Sequence, residues 1–452
     1  MKRKITAILL AGCFLIGSLA GCGNKNTAGS NNSDTSKTDA APTNAAAGGT
    51  GNTASSPSGD TQNEDITITL WHRWSSLTEE ALMNLIAEFE EANPNIHVEV
   101  TAKSGEYFTL LQSMIADAAA GNDLPDVFVG GYNLLNYIAT ELKPTVIDEL
   151  APSQNDLDKL TSYFQSGMME LAQYDGKQVG LPFAVSIMPM YINMDLFREA
   201  GLTEADIPTT WDEVFEVAEI IEKNTSAAGV QIHNMADAWG DQALVFSRGG
   251  QLLTDDKQKC NFTNEGCIAA LTMWQDLYSK GYATELSSSE IQSTFTSGNL
   301  AIYCTSIMSV NTIVEYSDFE VKICKTPSFK DHDLKLPSGG AALISFSKQP
   351  EKQKAVWAFL DYASSKGMVN WAKDSGYLCP TNVDLELNDY MKAAYECLPY
   401  SVAWECWPGG SAGMEIDSMW ITTRNEILWE GADVTKTLTE LEETCNMMLE
   451  NK

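Results

Sequence analysis

Gly409-Gly410-Ser411-Ala412-Gly413 has the form G-x-S-x-G, the turn that presents a serine nucleophile in acyl-transfer enzymes. That chemistry needs a histidine after the serine, and His332 is the last histidine in the chain. Trp407-Pro408 also spoils the strand that must lead into such a turn. A glycosidase would need two carboxyl groups facing each other about 5–10 Å apart. Among 61 acidic residues, spacing singles out no such pair. No C-x-x-C occurs, and His72, His97, His233 and His332 are scattered, so no metal site is indicated. The residues point to no catalytic group, no metal and no cofactor. The chain reads as a non-enzyme.

Eleven tryptophans are the stronger resource. Indole planes cover apolar C–H faces, while hydroxyls and amides beside them pair with a ligand's polar rim. Trp71, His72 and Trp74 follow the first alternating segment, where a strand-to-helix loop would face a cleft. Tyr107 opens a helix after a glycine-containing turn, and Tyr132 and Asn133 follow Gly130-Gly131. Trp239 falls in an expected loop, and Ser306 lies just after an expected strand. Trp404 and Trp407 are weaker candidates of the same kind. Trp211, Trp274, Trp357 and Trp371 sit on helical patterns and read as core.

The elements that must position these residues alternate between strand and helix. Ile66, Ile68 and Leu70 alternate with Thr67, Thr69 and Trp71, which predicts a strand. Leu82, Leu85, Ile86 and Phe89 share one face of a helix expected over about 78–92, ended by Asn93-Pro94. A second strand over 96–101, a helix from Tyr107 and a short strand over 126–129 complete a βαβαβ rhythm. Such a rhythm predicts an α/β fold with a mostly parallel sheet. A strand pair is expected over 181–193, helices over 211–223 and 265–280, and strands near Ala301 and Val321. The final third reads as largely helical.

The N-terminus has a different character. Lys2, Arg3 and Lys4 precede an apolar run over 7–19 that is short for a membrane span. The run ends Leu19-Ala20-Gly21-Cys22, which resembles a bacterial lipobox and implies cleavage before Cys22 and lipid attachment to it. Several acyl chains on one residue make a stable anchor, at roughly 0.8 kcal/mol per buried CH₂. Residues 23–64 contain no Val, Ile, Leu, Met or aromatic residue, the composition of a disordered tether. About 390 residues follow, too many for one ordinary core and comfortable for two lobes. The formal charge of −32 argues against nucleic acid or an anionic membrane surface as partner. Cys260–Cys267 and Cys397–Cys406 are possible disulfides, and buried free thiols are an equal alternative.

Motifs in order along the chain resemble the bacterial extracellular solute-binding proteins of carbohydrate ABC transporters. They are Ile68-Thr69-Leu70-Trp71-His72, Asn93-Pro94, Leu124-Pro125-Asp126-Val127 and Gly180-Leu181-Pro182-Phe183. Tyr191-x-Asn193-x-Asp195-Leu196-Phe197, Thr210-Trp211-Asp212-Glu213, Gly339-Gly340-Ala341 and Gly376-Tyr377-Leu378-x-Pro380 follow. The resemblance implies a two-lobe α/β, periplasmic-binding-protein-like fold of type II, with ligand held between discontinuous lobes. By analogy residues 65–184 with 340–376 form lobe 1, and 185–339 with 377–452 form lobe 2. Ser186 then lies just past the first crossing, and Gly340 and Tyr377 stand at the later ones.

The resemblance also implies a carbohydrate ligand, an ABC permease as partner, and a monomer tethered outside the cell membrane through Cys22. Trp420-x-x-x-Arg424 resembles the segment in which the maltose-binding branch stacks a tryptophan on sugar. Likeness to the glycerol-3-phosphate-binding branch appears at Lys103-x-Gly105-x-Tyr107. That branch carries Gly-Met-Arg where this chain reads Gly413-Met414-Glu415. A carboxylate beside a phosphate is unfavourable where a bidentate arginine would be favourable, which implies a neutral sugar.

Overall fold

A computed structural model describes residues 65–233 and 237–451, all within one unit over Gln62–Lys452. The lipobox with Cys22 and the segment 23–64 lie outside the described residues. No described helix is long and apolar enough to cross a membrane.

Two sheets organise the chain. The first holds β1 (Ile66–His72), β2 (Ile96–Ala102), β3 (Val127–Gly131), β4 (Leu181–Ser186) and β9 (Gly339–Ser345), in the order β2-β1-β3-β9-β4. β1 pairs in parallel with β2 and β3, as the βαβαβ rhythm predicts. β9 then runs antiparallel to both β3 and β4, so four of the five strands point one way, as expected, and β9 alone runs against them. A strand that returns from far along the chain can enter from either end, and local periodicity does not record its direction.

The second sheet holds β5 (Met190–Asn193), β6 (Ala228–Ile232), β7 (Leu300–Cys304) and β8 (Val321–Cys324), in the order β8-β5-β7-β6. Only β6 and β7 are parallel. The pair expected over 181–193 therefore consists of two strands that do not pair with each other. β4 closes the first sheet and β5 opens the second, with Ile187-Met188-Pro189 crossing between them.

Helices cover both sheets. α1 (Ser76–Ala92) buries Leu82, Leu85, Ile86 and Phe89, the face its spacing predicts. α2 (Tyr107–Ala120) follows β2, and α3 (Trp211–Asn224) begins at a capping box between Thr210 and Glu213. Four further helices, α4 (Trp239–Ser247), α5 (Glu265–Ser279), α6 (Ser288–Thr296) and α7 (Pro350–Ser364), precede α8 (Met368–Ser375) and α9 (Asp389–Cys397). The chain ends on α10 (Ser411–Glu430) and α11 (Val434–Glu450). Trp211, Trp274, Trp357 and Trp371 are all buried in the core.

Gly340 has φ +105° just before the register shift between Ala341 and Ala342 in the β9–β4 ladder, and a Cβ there would stand 2.1 Å from the Ala184 carbonyl oxygen. Only glycine lets these two strands approach so closely. The eight described cysteines are free thiols, so neither sequence-suggested disulfide is formed here.

Candidate ligand cleft

Strand ends from both sheets converge on one cleft. β3 leads into Asn133, β4 ends at Ser186, and β9 begins at Gly339-Gly340. From the other sheet β6 leads to His233, and β7 runs out into Thr305 and Ser306. The carboxyl ends of strands are where loops can surround a ligand in an α/β fold.

The cleft has two compartments. One, of about 280 Å³, is rich in hydroxyl and amide groups: Ser186, Ser288, Gln292, Thr305 and Ser306 among others. Ser186 Oγ and Ser306 Oγ lie 2.7 Å apart, a hydrogen bond between the last residue of β4 and a residue just past β7 of the other sheet. The other compartment, of about 430 Å³, is walled by Tyr107, Tyr137, Trp404 and Trp407, with Asp237 and Asp417 between them. Glu106, Tyr107, Asn133, Asp237 and Trp404 line both.

The aromatic positions are held from behind. Trp74 is buried, and its indole N–H lies within hydrogen-bond reach of the hydroxyls of Tyr107, at 3.2 Å, and Tyr377, at 3.3 Å. Its own backbone N–H donates to His72 Nδ1 over 3.1 Å. A Cβ on Gly131 would stand 2.9 Å from Tyr107 Cγ and 2.6 Å from Asn133 Oδ1. The glycine thus leaves room for both cleft residues. Trp239 Nε1 donates to the Pro337 carbonyl over 2.6 Å, and Gly339 lets the indole lie against the strand.

The ionisable side chains of the cleft are mostly acidic. Arg73 lines the smaller compartment, pairs with Glu106 at 3.0 Å and lies 4.8 Å from the Tyr107 ring centroid. Burial pushes Asp237 up to about 7, against the backbone hydrogen bond from Trp239. Burial likewise raises Asp417 to about 6, although the Trp407 indole donates to it over 2.6 Å. His233, hydrogen-bonded to Thr305 at 3.0 Å, is pushed down to about 3, first by burial and then by Arg424. It is a neutral ring at any ordinary pH.

The sequence matches the bacterial extracellular solute-binding protein family over residues 84–397. The chain belongs to that family. Curated relatives of this solute-binding protein include the sn-glycerol-3-phosphate-binding periplasmic protein UgpB of Brucella melitensis, 26% identical over 68% of this chain and 73% of that protein. The Escherichia coli K12 protein of the same name is 24% identical over 71% of this chain and 76% of its own length. Among solved structures, the cyclic alpha-maltosyl-1,6-maltose binding protein of Arthrobacter globiformis superposes with a TM-score of 0.72 at 21% identity. It covers 86% of this chain and 100% of that one. UgpB of Mycobacterium tuberculosis in complex with glycerophosphocholine gives 0.72 at 22% identity, over 85% and 99%. These likenesses establish the two-lobe, type II binding-protein fold that the motifs implied.

Six of the eleven sequence-predicted ligand residues meet in the solute-binding protein's cleft: Tyr107, Ser186, Trp239, Ser306, Gly340 and Tyr377. The other five do not line it. Trp71 lies within β1 with the Lys103 ammonium 4.0 Å from its ring centroid. His72 ends the same strand, buried, and acts through Trp74, which in turn holds Tyr107 and Tyr377. Tyr132 is buried, with burial driving its hydroxyl far above the ordinary range.

Trp420 is 1% exposed, packed on Phe262 and Trp407, and its indole N–H donates to Asp241 over 3.0 Å. It stands behind the wall, and Trp407 is the indole in front of it. Trp239 opens a helix instead of lying in a loop. Glu415, expected beside the ligand, is exposed on α10 outside both compartments.

Arg73, Glu106, Asp237 and Asp417 escaped the sequence reading. Ser288 and Ser289 had a usable signal, because the Ser287/Glu290 capping box marks the helix start that carries them to the cleft.

A pH experiment tests the electrostatic reading. A carboxyl raised from 3.8 to about 7 on folding takes up a proton between those values, so its contribution favours folding as pH falls through 7. Asp237→Asn removes that contribution and leaves the opposing one of His233 in place. Between pH 8 and pH 5 the ligand-free wild type should gain about 2–3 kcal/mol over the variant. Denaturant unfolding at both pH values measures the difference, and parallel profiles would refute a raised Asp237.

Proposed function

We propose that this protein is the lipid-anchored receptor of an ABC importer. It captures a neutral sugar, with an oligosaccharide the better fit, and delivers it to the permease. The observation that carries this reading is the pairing of a hydroxyl-rich compartment with an aromatic one in a single cleft. Sugars present flat C–H faces to indole rings and hydroxyls to Ser, Thr, Asn and Gln. The cleft carboxylates support neutrality of the ligand. Arg73 already faces Glu106, and Asp417, mostly ionised at neutral pH even when raised to about 6, would repel a phosphate.

Residues 65–184 with 340–376 act as one lobe, and 185–339 with 377–452 as the other. Ligand that touches both lobes draws an open form into a closed one, and the permease reads the closed shape. Cys22 carries the lipid that tethers a monomeric body, through 23–64, to the outer face of the cell membrane. No bond in the ligand is made or broken.

A second reading, capture of a glycerophosphodiester, is favoured by the UgpB relatives. Isothermal titration of the purified protein against malto-, cello- and xylo-oligosaccharides, glycerol 3-phosphate and glycerophosphocholine separates the two. A neutral glycan should bind at micromolar or tighter affinity while glycerol 3-phosphate gives no heat. Binding of the phosphate compounds alone overturns the sugar assignment. Turnover of any glycan overturns the binding-protein reading.

A further inference from the structure

We infer that Cys260 and Cys445 form a structural disulfide as the chain folds outside the cytoplasm. Sequence spacing pointed from Cys260 to Cys267, seven residues on, but the structure brings a different partner. The segment from Lys259 to Thr263 lies along one face of α11. Cys260 N–H donates to Asn446 Oδ1 over 2.8 Å, and Asn446 Nδ2 donates back to the Cys260 carbonyl over 3.0 Å. Glu442, one turn earlier, accepts the backbone N–H groups of Phe262 and Thr263, and Glu450, one turn later, pairs with Lys259 at 2.7 Å. Residues 442, 446 and 450 form one helical stripe, and Cys445 adjoins it.

Both thiols are buried, Cys260 at 2% exposure and Cys445 at 0%, and Cys445 immediately precedes the Asn446 that holds the Cys260 backbone from both sides. Other thiols have other partners. Cys379 donates to the Thr381 carbonyl over 3.3 Å, Cys406 to that of Tyr132 over 3.2 Å, and Cys397 faces Thr326.

Family membership places the folded chain outside the cytoplasm, where disulfides persist. The oxidant is a disulfide-bearing thiol oxidant such as oxidised glutathione. One cysteine loses its proton, and the thiolate attacks the external disulfide and releases one external thiolate. The second cysteine, deprotonated in turn, displaces the other external thiol from the mixed disulfide. Two protein thiols and one external disulfide become one protein disulfide and two external thiols, which take up both protons. Interaction with the Cys445 thiol and burial raise the Cys260 thiol far above the ordinary range, and burial closes both thiols to an external disulfide, so the exchange belongs to the step in which α11 docks.

The bond would fix more than the helix. Phe262, two residues from Cys260, packs against Trp420 at 5.0 Å and Trp407 at 5.8 Å between ring centroids. Trp407 forms part of the aromatic wall of the cleft. The disulfide therefore fastens the support of that wall to the last helix, whatever ligand the cleft takes.

The test is differential alkylation of the exported full-length chain, denatured without reductant and mapped by peptide mass spectrometry. Cys260 and Cys445 should stay unlabelled and appear as one cross-linked peptide pair, while Cys267, Cys304, Cys324, Cys379, Cys397 and Cys406 are labelled. Reduction should release both and lower the melting temperature by about 5 °C, with no such change in the C260A/C445A double variant. Full labelling of Cys260 and Cys445 after folding with oxidised glutathione overturns the inference and leaves them as packed thiols. A cross-link from Cys260 to any other cysteine overturns it equally.

Discussion

Trp420→Ala is expected to cost the ligand-free protein about 3–5 kcal/mol of stability, the range for removing a large aromatic side chain from a core. Three observations set that size. The ring is 1% exposed and packs on Phe262 and Trp407, so truncation opens a cavity that its bulky neighbours cannot collapse into. Its indole N–H is a donor to Asp241, which is fully buried and also receives Arg424 at 3.0 Å. Losing one of its two donors among the described residues leaves a buried carboxylate underpaired, which adds to the cavity cost.

Trp420→Phe separates the two effects, since it keeps most of the packing and removes only the N–H. It should recover about half of the loss. Denaturant unfolding of the empty protein measures both variants. An unchanged midpoint in Trp420→Ala would return this residue to the ligand surface that the motif resemblance gave it.

The contrast shows what a linear sequence records. The period-2 pattern of Ile66, Ile68 and Leu70 and the helical face of Leu82, Leu85, Ile86 and Phe89 are local, and each recurs in the fold. The direction of β9 and the separation of β4 from β5 are set by partners far along the chain. No local period carries them. Cleft residues divide the same way. Tyr107 and Ser306 stand at element ends that the pattern locates, and they reach the cleft.

Trp420 and Trp407 lie close in sequence and have equal chemistry, yet one backs the wall and the other forms it. Which one faces the ligand depends on how α10 is rotated against Phe262 and Asp241, from chain segments more than 150 residues away. Asp237 and Asp417 look like ordinary surface acids until the fold brings them, partly buried, into one compartment.

Trp404→Ala is expected to weaken ligand binding by roughly 30- to 150-fold while moving the melting temperature of the empty protein by no more than about 2 °C. The residue is half-buried and lines both compartments, so a ligand spanning them must pass its ring. Covering about 100 Å² of apolar surface on an indole contributes about 2–3 kcal/mol, which gives the stated factor. The fold loses little, because the backbone beside Trp404 is anchored independently. Gln242 Nε2 donates to the Glu405 carbonyl over 2.8 Å, and Glu405 N–H donates to Gln242 Oε1 over 3.0 Å.

Ligand length sharpens the expectation. A sugar short enough to sit among Ser186, Thr305 and Ser306 should lose less than one that extends toward Trp407. Titration of a graded oligosaccharide series with both proteins reads this directly, and affinities within threefold of wild type at every length would remove Trp404 from the site. A penalty that instead grows with chain length and then levels off would measure how many sugar units the two compartments hold.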